Sequence, residues 1–272
     1  MPENDRPAPT ARALARETVH AAILAAARSR LTDEGPGQLS LRAVARDVGM
    51  VSSAVYRYFP SRDDLLTALL VLDYDELGAA VEAADAAVPR ERYRARWTAA
   101  CRAIRTWAVG HPGDFALLYG SPVPGYVAPQ DTIEPASRTT HVLLRIVTET
   151  WNSGRAVGPV TAVAAGRAGD SGRAAGDSGR PAGDSGRAAG GSARAAVADA
   201  IAYVEARGFT EGPPVEVVVR TLMAWTTVFG VLSFELFGHA VGSVSDPALY
   251  FDEVASRLAD DLGLPPDGAL ED

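Results

Sequence analysis

Four side chains in the stretch 47-DVGMVSSAVYRYFPSRDDLL-66 have types and spacing that suit polar recognition. Ser52, Ser53, Tyr56 and Arg57 fall at i, i+1, i+4 and i+5, so a helix would carry them on one outward face. Their chemistry is non-covalent. Short hydroxyl side chains let a helix backbone approach base edges in a DNA major groove, while an arginine and tyrosine hydroxyls can reach phosphate or guanine. No group nearby supplies a nucleophile and its base.

The elements that must position these residues can be read from the flanking sequence. Val19, Ala22, Ile23, Ala26 and Ala27 recur at helical spacing within residues 11–32, and the run Asp33-Glu34-Gly35-Pro36-Gly37 ends that helix. A shorter helix should start with Ser40 as N-cap, bury Leu41, Val44, Ala45 and Val48, and stop at Gly49, where a tight turn demands positive φ. A third helix over about 51–59 would pack inward through Val51, Val55 and Phe59. Pro60-Ser61 breaks it, and Ser61-Arg62-Asp63-Asp64 restarts a fourth with an S-x-x-D capping box. Two short helices joined by a glycine turn, the second one presenting a polar face, form a helix-turn-helix.

Beyond residue 75 the pattern remains helical over 90–110, 135–152, 195–206, 214–237 and 247–262, with no sustained period-two alternation. The fold class expected is all-α. An N-terminal helix-turn-helix domain over 11–74 would be followed by a larger regulatory and dimerisation domain over 75–264. Within the latter, 111-HPGDFALLYGSPVPGYVAPQD-131 reads as a short helix and then an irregular loop. The segment 155–194 reads as a flexible insertion: G-D-S-G units repeat with arginines at 173, 180, 187 and 194 and supply no apolar seam.

Charge is unevenly spread over the 272 residues, whose net charge is -8. Residues 1–62 hold nine arginines against six acids, and the rest holds seventeen against twenty-eight. A basic head on an acidic body suits a nucleic-acid partner. There is no lysine. No run of about eighteen uncharged apolar residues occurs and the N-terminus has mixed charge, so a soluble cytoplasmic protein without a membrane partner is expected. Cys101, the single cysteine, reads as a buried small hydrophobe.

Catalysis finds little support. His20, His111, His141 and His239 are scattered, no phosphate-binding glycine loop follows a strand, and no cofactor or metal site is expected.

The helix-turn-helix stretch resembles the TetR/AcrR family of transcriptional regulators over about residues 16–70, with Tyr56, Tyr58-Phe59 and Arg62 at the family's tyrosine, aromatic pair and fourth-helix cation. The resemblance implies that Ser40 and Arg42 touch the DNA backbone, that Ser52, Ser53, Tyr56, Arg57 and Tyr58 contact DNA, and that Arg62 binds a phosphate. Val51 stands where the family usually has Ser or Thr at the recognition-helix N-cap, which would pass capping to Ser52. The later part resembles a subgroup with a Trp-x-x-x-His-Gly-like motif; here 225-WTTVFG-230 puts Phe229 in place of the histidine, which favours an apolar ligand or none.

By the same resemblance the protein would be a homodimer through its last two helices, with Tyr250, Phe251, Val254 and Leu258 suited to the contact. It would bind an inverted-repeat operator as a repressor and be released by a small, hydrophobic effector. Trp107, Phe115, Tyr119, Tyr126, Trp151, Met223, Trp225 and Phe229 are the pocket candidates, with His141 and His239 as polar contacts and His111 packing near Pro112. The alternatives are a DNA-binding dimer without an effector and an all-α enzyme.

Overall fold

The computed structural model describes residues 10–158, 192–206 and 214–268. Among these, every regular element is a helix, as the periodicity predicts. VEVVV, β-branched as it is, opens a helix.

The chain divides into two compact units. The first comprises Met1–Glu76 and Ala108–Ala136. Helix α1 (Ala11–Glu34) starts where the Thr10 hydroxyl accepts the Ala13 amide at 3.2 Å and ends at Gly35, φ 77°. It buries Ile23, Leu24, Ala27 and Leu31, while Ala22 is exposed. The stripe is thus turned from the expected one, because burying a leucine removes far more apolar surface from water than burying an alanine. Helix α2 (Leu41–Asp47) buries Leu41, Ala43, Val44 and Ala45. Gly49 takes φ 67° in the following turn, and the Met50 amide donates to the Ala45 carbonyl at 2.8 Å.

Helix α3 is short, Ser52–Val55, and continues as looser turns in which the Tyr56 amide donates to Ser52 O and the Phe59 amide to Val55 O, both at 3.0 Å. Val51, expected on the inward face, is 70% exposed. It lies outside the helix in extended backbone, so helical periodicity does not apply to it. Helix α4 (Arg62–Ala86) carries the expected capping box: Ser61 Oγ accepts the Asp64 amide at 3.1 Å and donates to the Asp64 carboxylate at 2.7 Å.

This unit also takes in residues that the sequence partition assigns to the regulatory part. Helix α6 (Pro112–Tyr119) lies directly on α1: a Cβ at Gly113 would come within 2.4 Å of the Thr32 nitrogen. Val123 joins the core formed by α1 to α4, with Leu117 and Tyr126 packed against it.

The second unit comprises Leu77–Trp107 and Ser137–Asp272. It contains most of α5 (Tyr93–Gly110) and α7 (Ile133–Asn152), then α8 (Ala198–Ala206), α9 (Val215–Leu236) and α10 (Pro247–Asp261). Its core includes Trp97, Cys101, Ile104, Leu143, Val228, Leu232 and Phe251. The Trp97 indole donates to the Ala255 carbonyl at 2.9 Å. Asp246 caps α10, accepting the Ala248 and Leu249 amides at 3.0 Å with Pro247 in the first turn.

Residues 192–196 are helical, so the last three residues of the segment read as an insertion, 192–194, lie in a helix. Of its repeat arginines, Arg194 is described, and positions 173, 180 and 187 lie outside the described residues. Helix α9 is the one described helix long and apolar enough, by length and composition, to cross a membrane. Its charges are paired within the chain, Arg220 with Glu216 and Asp261, and Glu235 with Arg105.

Candidate nucleic-acid interface

The reading surface is built on a dry support. Val55 and Phe59 are buried against α1, α2 and α4, and the His20 ring lies 4.8 Å from the Phe59 ring. With those two facing inward, the helical turns from 52 to 59 leave Ser53, Tyr56 and Arg57 exposed, with Ser52 and Tyr58 half-buried beside them. Ser40 and exposed Arg42 border the start of α2. Arg16 sits over the Tyr58 ring at 5.8 Å.

Two N-caps differ in detail from the sequence reading. Ser40 occupies its cap position but its side chain makes no cap hydrogen bond. At α3 the cap position stays with Val51, which has no side chain able to accept a bond, and Ser52 is the first helical residue. The capping role does not pass to Ser52, because a residue already in helical conformation cannot turn its side chain back onto the amides ahead of it. The helix therefore starts uncapped.

The arginines of this unit divide by partner. Arg28 is held by Glu76 and Asp114, and Arg30 by Glu34 and Asp47. The Arg30 guanidinium, through its hydrogen bond first and its charge next, lowers the Asp47 carboxyl below the usual range. Arg62 donates to the carbonyls of Leu39 at 2.9 Å and of Pro36 and Gly37 at 3.0 Å, which ties the loop before α2 to the start of α4. Arg42, Arg46 and Arg57 are exposed and take no ion pair among the described residues. Arg12 and Arg16 of α1 are likewise exposed and take no ion pair among the described residues, so the unpaired positive charge of the head is carried by α1, α2 and the turns after it.

The eight aromatic and methionine candidates are divided between the two units. Phe115, Tyr119 and Tyr126 belong to the first unit; Trp107, Trp151, Met223, Trp225 and Phe229 belong to the second. Phe115 and Tyr119 rings lie 5.1 Å apart, and Tyr119 meets Tyr74 edge-on at 6.2 Å. Burial pushes both tyrosine hydroxyls up, so they stay neutral donors. Tyr126 shares a 2.8 Å hydrogen bond with the Thr67 hydroxyl on α4. Trp225 and Phe229 are 5.9 Å apart. Trp225 helps line a cavity of about 40 Å³ with Leu143, Leu144 and Val218, room for little more than a water molecule. Met223 is 57% exposed and so does not face a core cavity.

A cleft of about 540 Å³ opens elsewhere, between α9 and the start of α10, lined by Val231, Phe234, His239, Val244, Pro247 and Tyr250 among others. Of the residues singled out in the sequence it contains His239, whose ring lies 5.4 Å from that of Phe234, and Tyr250. Sequence reasoning missed this cleft, since a turn of irregular backbone from Phe237 to Asp246 forms its floor. Cys101 is fully buried, and burial pushes its thiol far above the thiolate range.

Comparison with known proteins adds to this geometry. Residues 23–69 match the family described as bacterial regulatory proteins, tetR family, and residues 97–258 match the tetracyclin repressor-like C-terminal domain. The chain is 37% identical over 239 residues to the HTH-type transcriptional regulators Rv1816 of Mycobacterium tuberculosis and Mb1846 of Mycobacterium bovis, covering 88% of this chain and 89% of each relative. Among solved structures it is similar to the regulatory protein SCO4313, with TM-score 0.62 and 29% identity over 92% of this chain and 98% of that one. A tetR-family regulatory protein from Rhodococcus RHA1 shares the fold, with TM-score 0.55 at 16% identity over 91% and 98% of the two chains. The glycine turn, the polar face after it and both matched segments agree: this chain belongs to the tetR family of bacterial regulatory proteins and is a DNA-binding transcriptional regulator of the helix-turn-helix type.

Proposed function

We propose that the protein acts as a homodimeric repressor that reads an inverted-repeat operator and leaves it when a small apolar effector binds. The observation that carries the DNA-reading part is the division of α3 and its following turns into a buried side, Val55 and Phe59, and an exposed side, Ser53, Tyr56 and Arg57. In this reading Ser52, Ser53, Tyr56 and Arg57 face the major groove, and Ser40, Arg42 and Tyr58 contact phosphates at its rim. Arg62 acts first as a positioning residue, since its hydrogen bonds to three loop carbonyls set the entry to α2. Phosphate contact is its second role.

The dimer reading is supported by the outer face of α9 and α10. Phe234 and Leu249 are 59% and 68% exposed, and Met223, Phe237, Val241 and Tyr250 are exposed with them. Apolar side chains grouped in this way favour a covering partner, and a second copy of this chain is the one proposed. Phe251 takes no part, because it is fully buried in the chain's own core. Two heads held by such a bundle would meet successive turns of DNA, which is why the operator should be an inverted repeat. The effector reading rests on family membership and on Phe229, an apolar group where the related motif has histidine. The site of action proposed is the cytoplasm.

Selection of bound duplex from a random-sequence library, at near-physiological salt, tests this directly. Enrichment of an inverted repeat is expected. Folded, dimeric protein that enriches no sequence would overturn the reading.

A further inference from the structure

Three carboxylates and one guanidinium meet where α1, α4 and α6 come together. Arg28 of α1 donates through Nε to Asp114 of α6 at 2.8 Å and through its two terminal nitrogens to Glu76 of α4 at 2.9 and 2.7 Å. One terminal nitrogen lies 2.6 Å from Asp114 Oδ2 and 3.4 Å from Asp73 Oδ1, so the two aspartates converge on a single nitrogen. The Asp73 side chain is wholly buried, and neither of its oxygens has a hydrogen-bond donor; Asp114 Oδ1 has none either. His111, at the start of α6, bears on Asp114 with its positive charge when protonated.

With Arg28, Glu76 and Asp114 ionised, this site already carries one excess negative charge. A second, on Asp73, would sit in a dry interior beside a like charge and without a donor, which is far costlier than a neutral carboxylic acid. A protonated Asp73 has an O–H to give, and Asp114 Oδ1 is an acceptor with none to receive.

We propose that this junction is a proton-binding site, in which one proton on the Asp73–Asp114 pair holds α4 and α6 together on α1 and its loss at alkaline pH loosens the joint. Burial, and then the Asp114 charge, push the Asp73 carboxyl up to about 8 against the opposing pull of Arg28. An unfolded aspartate releases its proton near 4, so the folded chain holds one proton more between those limits. Stability therefore falls as pH rises through this window and levels off above it. The inference concerns the joint itself and does not depend on what the head binds.

Infrared difference spectroscopy on the full chain provides the test. Wild-type protein should show a protonated-carboxyl band at about pH 6 that is gone by about pH 9.5, and its melting temperature should fall over the same range. Asp73→Asn should lack the band and melt at a temperature nearly independent of pH there. Asp114→Asn, which removes the neighbouring charge and keeps Asp73, should lose the band at lower pH than wild type. A wild-type spectrum without the band at about pH 6, or a band whose midpoint Asp114→Asn leaves unmoved, would overturn the proposal.

Discussion

Arg57 is exposed, takes no ion pair among the described residues and sits a turn beyond Ser53 on the outward side of α3. Removing it should therefore cost DNA affinity without costing fold. Arg57→Ala is expected to weaken binding to the selected duplex by about 1–3 kcal/mol, while leaving unfolding stability within about 0.5 kcal/mol of wild type. Fluorescence anisotropy titration and urea unfolding measure the two halves. Val51 invites the opposite experiment. It occupies an N-cap without an acceptor and is mostly exposed, so Val51→Thr should add a hydrogen bond to the first turn and stabilise the protein by about 0.5–1 kcal/mol in urea unfolding.

Arg96 shows what a buried charge requires. It and Asp85 are fully buried, 2.7 Å apart, in a network that also holds Glu149, Arg145 and Arg90. Burial works to raise the Asp85 carboxyl, but its bonds to Arg96 and then Arg145 outweigh this and hold it below the usual range. The sign follows from that depression: the stabilisation is present above the unfolded carboxylate range near 4 and is lost as pH falls through the lowered value. Arg96→Ala should cost about 3–5 kcal/mol, because it leaves a buried charge poorly paired. Acid unfolding followed by circular dichroism should begin at higher pH than in wild type.

Elements were legible in the sequence where a local signal marks them. The Ser61–Asp64 box and the Gly49 turn are satisfied within a few residues of chain, and the structure shows both formed. Val51 was misplaced because periodicity was extended one residue beyond the helix. The Arg28 cluster was not legible at all: its acids lie 48 and 86 residues away, and no spacing rule connects them. The same holds for the seat of α6, where Gly113 meets backbone. Gly113→Ala would drive a methyl group to 2.4 Å from the Thr32 nitrogen, and neither backbone can yield as a flexible side chain could. A loss of about 1–3 kcal/mol is expected by urea unfolding. Gly37→Ala, with nothing within 4 Å, serves as the control that should stay near wild type.

At the scale of the whole molecule, the family could be read from about fifty residues and the all-α class from helical spacing along the rest of the chain. Amphipathicity alone did not divide α9 and α10 into buried and exposed faces; the structure does, by burying Phe251 and leaving Phe234 and Leu249 exposed. The double variant Phe234→Asp, Leu249→Asp places charges on that outer face. On the proposed dimer, sedimentation velocity should show dimers for wild type and monomers for the double variant, and binding to a full inverted repeat should fall to that of a single half-site. A still-dimeric double variant would place the interface elsewhere.

The joining of residues 108–136 to the head also bears on how such regulators can be recombined. A designer exchanging reading heads between relatives would naturally cut the gene once, near the end of the helix-turn-helix. In this chain that graft would leave Val123, Leu117 and Tyr126 facing a foreign core and Asp114 facing a foreign arginine position. The transplantable part is discontinuous: a working chimera has to carry two pieces of sequence and three crossovers, so the portable module is larger than the motif that recognises DNA.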